Sequence, residues 1–228
     1  MIPLVLASGS PRRRTVLAAL GLDFDVRPPD LAEELRAGEP AAAAARRLAE
    51  EKAGVVDAGA DELVLAADTI VTLDGNLIGK PADAGEAADI LAALAGRSHA
   101  VVTGIAVRYG GARWSTVART EVTFRPLDQA DIDAYVATGE PLDKAGAYGI
   151  QGRGAALVER IEGDFYNVMG LPIAALLALL EDAGCRYEYG VIRRRADARY
   201  RAPRSAEARS APEGAPESTG APESTGAL

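Results

Sequence analysis

The chain has 228 residues, 48% of them apolar, enough for a substantial core, and its formal net charge of −8 disfavours binding to a nucleic-acid polymer. A single cysteine, Cys185, and a single histidine, His99, leave no material for a disulfide framework or a cysteine or multi-histidine metal cluster, and no triad-like serine context accompanies the histidine. No apolar run reaches the roughly 20 residues of a membrane span and the N-terminus lacks a signal-peptide pattern, so a cytoplasmic protein with no membrane attachment is expected.

In chain order, residues 2–7 read as a strand, 8–10 as a turn and 11–20 as a helix, with Ser10 as N-cap, Pro11 in the first helical position and Gly21 as the stop. A short strand over 24–27 leads into the acidic DLAEEL, whose Glu33 and Glu34 lie in the connection to an alanine-rich helix over 40–56 that carries Lys52. ELVLAADTIVTLDGNLIGKP divides into a buried strand over 63–67, Asp68 and Thr69 directly beyond it, and a second strand that turns at Asp74-Gly75. Residues 83–94 are helical and stop at Gly96. The following stretch alternates apolar and polar residues on both sides of Gly110-Gly111, as a long hairpin does, and His99 falls in its first strand. Residues 128–137 form another helix, closed by Gly139. DKAGAYGIQGRG is a glycine-rich loop feeding a strand over 156–161, a last amphipathic helix spans 171–183, and residues 186–189 add an edge strand.

The folded domain should therefore cover residues 1–189. Residues 190–228 form an Arg/Ala/Pro-rich tail, with seven arginines against five acidic residues and GAPEST twice in tandem, which is expected to be disordered. Strands and helices mix without strict alternation and the hairpin is antiparallel, which predicts an α/β (mixed α+β) fold around a mixed sheet.

The chemistry begins at SGSPRRR. Free N–H groups and the dipole of a helix start favour an anion by roughly 0.3 to 1 kcal/mol at an exposed end. Arg12 and Arg13 add charge-assisted forks suited to phosphate. Cations in a first turn oppose the helix dipole, so an ordinary capped surface helix explains them poorly, and a phosphate cradle explains them well. Two better-known cradles do not fit. GNLIGKP has three residues between its glycines and Pro81 after Lys80, where Walker A needs four and a Ser or Thr. GRGAAL puts Leu157 where a dinucleotide loop needs a small residue, and it precedes a strand.

A phosphate near Arg12 needs a carboxylate to hold a divalent metal or to take a proton from water. Asp68, at a predicted strand end, is best placed, ahead of Glu33, Glu34 and Asp143. Asp74 belongs to its turn. The 25 cations include only three lysines, Lys52, Lys80 and Lys144, so arginine is the general solubilising cation and each lysine asks for its own explanation.

LASGSPRR, EKA, AADTIV, GKP, DKAGAYGIQGRG and MGLPI, in this order and spacing, resemble the Maf, or septum formation inhibitor, family of nucleoside triphosphate pyrophosphatases over about residues 2 to 185. The resemblance implies hydrolysis between the α and β phosphates with a divalent cation, Mg²⁺ or Mn²⁺. It implies Asp68 as proton acceptor and as metal ligand with Glu33, and Ser8, Arg13, Lys52 and Lys80 as phosphate-binding residues. Lys144 would order its loop. Arg12, Thr69 and Gln151 resemble the base-specificity positions of the dTTP/UTP branch, with modified pyrimidine nucleotides as further substrates, and a glutamine amide can pair with the carbonyl and N–H edge of uracil or thymine. The implied architecture is a mixed sheet in two lobes around a cleft, related to inosine triphosphate pyrophosphatases, in a homodimer. The alternative is a nucleotide-binding regulator of septum formation that acts through a protein partner.

Overall fold

The structure, a computed structural model, describes residues 1 to 36 and 38 to 195. The chain opens with β1 (Leu4–Leu6), α1 (Pro11–Ala19), β2 (Asp25–Val26) and α2 (Ala41–Val55). It continues with β3 (Leu63–Leu73), β4 (Asn76–Ile78), α3 (Ala84–Leu94), β5 (Ser98–Tyr109), β6 (Ala112–Phe124) and α4 (Gln129–Val136). Three short 3₁₀ turns then carry the glycine-rich stretch into β7 (Val158–Glu162), followed by α5 (Phe165–Val168), α6 (Ile173–Asp182), β8 (Cys185–Tyr187) and β9 (Ile192–Arg194). Among the described residues no helix is long and apolar enough to cross a membrane.

A seven-stranded mixed sheet runs in the order β2-β1-β3-β5-β6-β7, with β4 added beside β3. β1 is parallel to both its neighbours, β2 and β3, while β5, β6 and β7 are antiparallel. From β1 the chain passes through α1 to β2 on one side and returns from β2 through α2 to β3 on the other, which leaves at the end of β1 a crevice of the kind in which open α/β sheets bind ligands. The hairpin between β5 and β6 turns on Gly110 and Gly111, both at positive φ (57° and 82°), as a tight hairpin connection requires.

β3 corrects the sequence reading. It is one strand of 11 residues rather than two strands with Asp68 and Thr69 between them, and it stays paired with β5 from Val64 to Thr72. On its other side β1 pairs only as far as Leu65 and β4 only from Val71. Asp68 and Thr69 therefore lie in a gap on one side of an otherwise continuous strand. The polar pair looked like a strand end because it interrupts an apolar run, yet the alternation of faces continues through it.

Alternation puts Val64, Ala66, Asp68 and Ile70 on the face covered by α2, against Ala45 and Ala49. The opposite face carries two apolar clusters. One gathers Leu63, Leu65, Ile105 and Val107 beneath α1 and α6, and the other gathers Val71, Val101, Val122 and Phe124 beneath α3 and α4. Between them lie Thr69, Thr103 and Thr120, a polar belt across the sheet.

The compact part runs past residue 189, since β9 pairs with β8 and the Ile192 carbonyl accepts a 2.8 Å bond from the Ile2 N–H. The tail reading and its GAPEST repeat lie, from residue 196 onward, outside the described residues.

Candidate active site

The gap beside β3 opens into a cavity of about 420 Å³ at the end of β1. Its walls carry Arg12, Arg13, Lys52 and Lys80 against Glu33, Asp68 and Asp143, a locally cationic hollow in a protein of net charge −8. The loop Ser8 to Ser10 and the first turn of α1 form one side. Ser10 makes no side-chain cap bond to the helix, and its N–H is taken by the Ser8 hydroxyl at 3.2 Å.

Arg13 is buried at the N-terminal end of α1. Its guanidinium donates to the Gly170 carbonyl (2.8 Å), the Ser8 hydroxyl (3.0 Å) and the Thr69 hydroxyl (3.1 Å). All three acceptors are neutral, and among the described residues no carboxylate lies within salt-bridge distance of it. Burial lowers its pKa, while the more distant Asp68 and Glu33 act in the opposite sense. A guanidinium stays charged regardless, so an uncompensated buried cation faces the cavity.

Lys52, buried on α2, donates to Asp68 at 2.5 Å and pairs with Glu33 at 2.6 Å. Its depth is set by a glycine. A Cβ at Gly104, the β5 residue opposite Asp68, would overlap the Ala45 carbonyl, so glycine lets α2 press directly onto the sheet. Partial burial pushes the Glu33 carboxyl up, but its bond to Lys52, with Lys80 and Arg13 nearby, outweighs this and holds it below the usual range.

The structure thus brings Ser8, Arg12, Arg13, Glu33, Lys52, Asp68, Thr69 and Lys80 to one cavity, together with Asp143. Gln151 is exposed and is not among the lining residues, although its chain neighbours Gly149 and Ile150 are. Glu34 is exposed and does not line the cavity, and Asp74 sits in its turn at φ 51°. Lys144 donates to the Glu140 carbonyl at 2.6 Å and to Asp143 at 2.5 Å, inside the glycine-rich segment it was expected to order.

Sequence reasoning missed Glu140, Tyr148, Thr103 and Asn167. Glu140 accepts bonds from the Tyr135 hydroxyl and from the backbone N–H groups of Arg153 and Gly154, each at 3.1 Å, and so pins the segment that carries Gln151. Tyr148 lines the cavity and shares a 2.8 Å bond with Nε2 of the buried His99. The aromatic in AYG was a readable signal for it.

The sequence profile described as Maf-like protein matches residues 3–183. The chain belongs to the Maf family. Among its relatives, the dTTP/UTP pyrophosphatase of Moorella thermoacetica is 55% identical over 183 residues, covering 79% of this chain and 94% of that protein. The dTTP/UTP pyrophosphatase of Anaeromyxobacter dehalogenans strain 2CP-C is 52% identical over 185 residues, again 79% and 94%. A solved structure of a nucleoside-triphosphatase, dITP/XTP pyrophosphatase, from Mycobacterium abscessus overlaps this Maf protein in part, with a TM-score of 0.35 and 18% identity over 55% of this chain and 75% of that one.

Proposed function

We propose that this Maf protein hydrolyses dTTP and UTP to the nucleoside monophosphate and pyrophosphate, acting as a house-cleaning enzyme on these and on modified pyrimidine nucleotides. The observation that carries the reading is Arg13, a buried guanidinium bonded only to neutral oxygens at the mouth of an uncapped helix. An unpaired buried cation is costly, and a polyphosphate relieves the cost. The names of the relatives supply the substrate class.

In this reading the triphosphate lies across Ser8, the free N–H groups of α1, Arg13 and Lys80, with Lys52 completing the charge balance at its inner end. Asp68 takes the proton of the water that attacks phosphorus, and Lys52 holds that carboxylate in place. Arg12, Thr69 and Gln151 read the pyrimidine. Preorganised positive charge around the transferring phosphoryl group supplies most of the acceleration.

The donor set also fits a divalent cation. Asp68 and Glu33 converge on one ammonium, and two carboxylates with substrate phosphates are the hard oxygen set that Mg²⁺ or Mn²⁺ takes. Among the described residues no group of three or more His, Cys, Asp or Glu forms a cage by itself, which suits an ion held jointly with substrate. Such an ion neutralises phosphate charge and lowers the pKa of bound water. A homodimer is part of the same proposal.

The test is pyrophosphate release from UTP, dTTP, CTP, ATP, GTP and 7-methyl-GTP with Mg²⁺ or Mn²⁺, with UTP and dTTP expected to lead. Failure to release pyrophosphate from any of them would hand the function to the partner-binding regulator instead.

A further inference from the structure

Three hydrogen bonds, progressively more buried, leave the site through the polar belt. Arg13 Nη2 donates to Thr69 Oγ1 at 3.1 Å, Thr69 Oγ1 lies 3.0 Å from Thr103 Oγ1, and Thr103 Oγ1 donates to the Asn167 carbonyl at 3.0 Å. A guanidinium can only donate and a carbonyl can only accept. The single hydroxyl hydrogen of Thr103 is therefore committed to Asn167, so in the middle contact Thr69 must be the donor. Thr69 has then used its hydrogen on Thr103 and one lone pair on Arg13. What it has left for the cavity is one acceptor lone pair, on a half-buried residue of the lining.

Both ends of this relay are fixed. The guanidinium is held by Gly170 and Ser8 as well as by Thr69. Asn167, fully buried, donates through Nδ2 to the Val101 carbonyl at 2.9 Å and to Thr120 Oγ1 at 3.0 Å, which keeps its own carbonyl over Thr103. Thr103 is completely buried and does not itself line the cavity; its hydroxyl bonds only Thr69 and the Asn167 carbonyl.

We propose that Thr103 is a positioning residue that locks the Thr69 hydroxyl as an acceptor, so that Thr69 selects a hydrogen-bond donor on the bound nucleoside. The inference rests on the nucleotide reading above and adds a direction to it. Two such donors are common to UTP and dTTP, the ring N3–H of uracil or thymine and the 3′-hydroxyl of the sugar, whereas the 2′-hydroxyl of UTP is missing from dTTP. Cytosine carries no hydrogen on N3.

The experiment compares UTP, CTP and 3′-deoxy-UTP with wild type, Thr103→Val and Thr103→Ser, reading kcat/KM and, separately, equilibrium dissociation constants. Wild type should lose about tenfold with one substitute, CTP if the donor is the ring and 3′-deoxy-UTP if it is the sugar. Thr103→Val frees the Thr69 hydrogen to turn toward the cavity and should shrink that loss to about threefold or less, while Thr103→Ser keeps it. A merely structural role lowers all three nucleotides alike and leaves the ratios unchanged, which overturns the proposal. It is overturned as well by a wild type that discriminates against neither substitute, a result that needs no variant to fold, and by a serine variant that loses the discrimination. Pyrophosphate release with flat ratios sinks this inference alone. Binding of UTP without hydrolysis removes the proposed activity and leaves the dissociation constants to decide the inference, and a protein that neither binds nor hydrolyses UTP overturns both.

Discussion

In the proposed mechanism Arg13 holds phosphate charge and Asp68 takes a proton, and single substitutions separate the two roles. Arg13 makes three directed bonds from one planar fork, which a lysine cannot reproduce even though it keeps the charge. Arg13→Lys should raise the pyrophosphate concentration needed for half-maximal thermal stabilisation by about tenfold or more, measured by the shift in unfolding midpoint; an unchanged titration would remove Arg13 from phosphate binding. Asp68→Asn should do the reverse. The amide cannot take a proton from water, so kcat should fall by about 10² to 10⁴. Lys52 keeps Glu33 at 2.6 Å, so the ammonium is not stranded and the fold should survive, with pyrophosphate still raising the unfolding midpoint. Near wild-type turnover in this variant would exclude Asp68 as the proton acceptor.

At the scale of elements, the site depends on how closely α2 lies on the sheet. Ala45 and Lys52 are seven residues apart on α2, about 10 Å along the helix axis, so a shift forced at one is felt at the other. Gly104→Ala places a methyl group where the Ala45 carbonyl stands, with backbone on both sides and no flexible side chain to yield. Stability should fall by about 3 kcal/mol in urea denaturation, and kcat/KM by about 100-fold through displacement of Lys52 from Asp68. A variant as stable and active as wild type would show that the contact is not what seats the lysine. The same scale explains what could be read in advance. The β1 to α1 turn was legible because its signals are local, a strand followed by Ser, Gly, Ser and Pro at fixed offsets. The continuity of β3 was not, because its gap exists on only one side and is created by where β1 and β4 happen to stop. Thr103 and Asn167 left no signal, since their bonds join residues 34 and 64 positions apart.

Across the whole molecule, the two apolar clusters share one face of the sheet, and the cavity lies where the polar belt parts them. His99 sits in the second cluster, edge-on to Phe124 and Tyr148, and is 2% exposed. Burial drives its pKa from 6.5 down to about 4, so the folded protein keeps it neutral where the unfolded chain would protonate it. The unfolded state therefore binds the extra proton between these values, and stability is complete above pH 6.5 and is lost as the pH falls toward 4. Between pH 6.5 and 5 the loss from this one group should be about 1.5 kcal/mol. It is the only histidine in the chain, and ordinary carboxylates titrate lower, so this window isolates it. His99→Phe removes the titration but strands the Tyr148 hydroxyl, so the variant should be less stable at pH 7.5 and yet show a flatter decline from pH 6.5 to 5 in urea midpoints. An equal slope in both proteins would mean that His99 is protonated in the folded state, and with it that the second cluster admits a charge beside the tyrosine that lines the cavity.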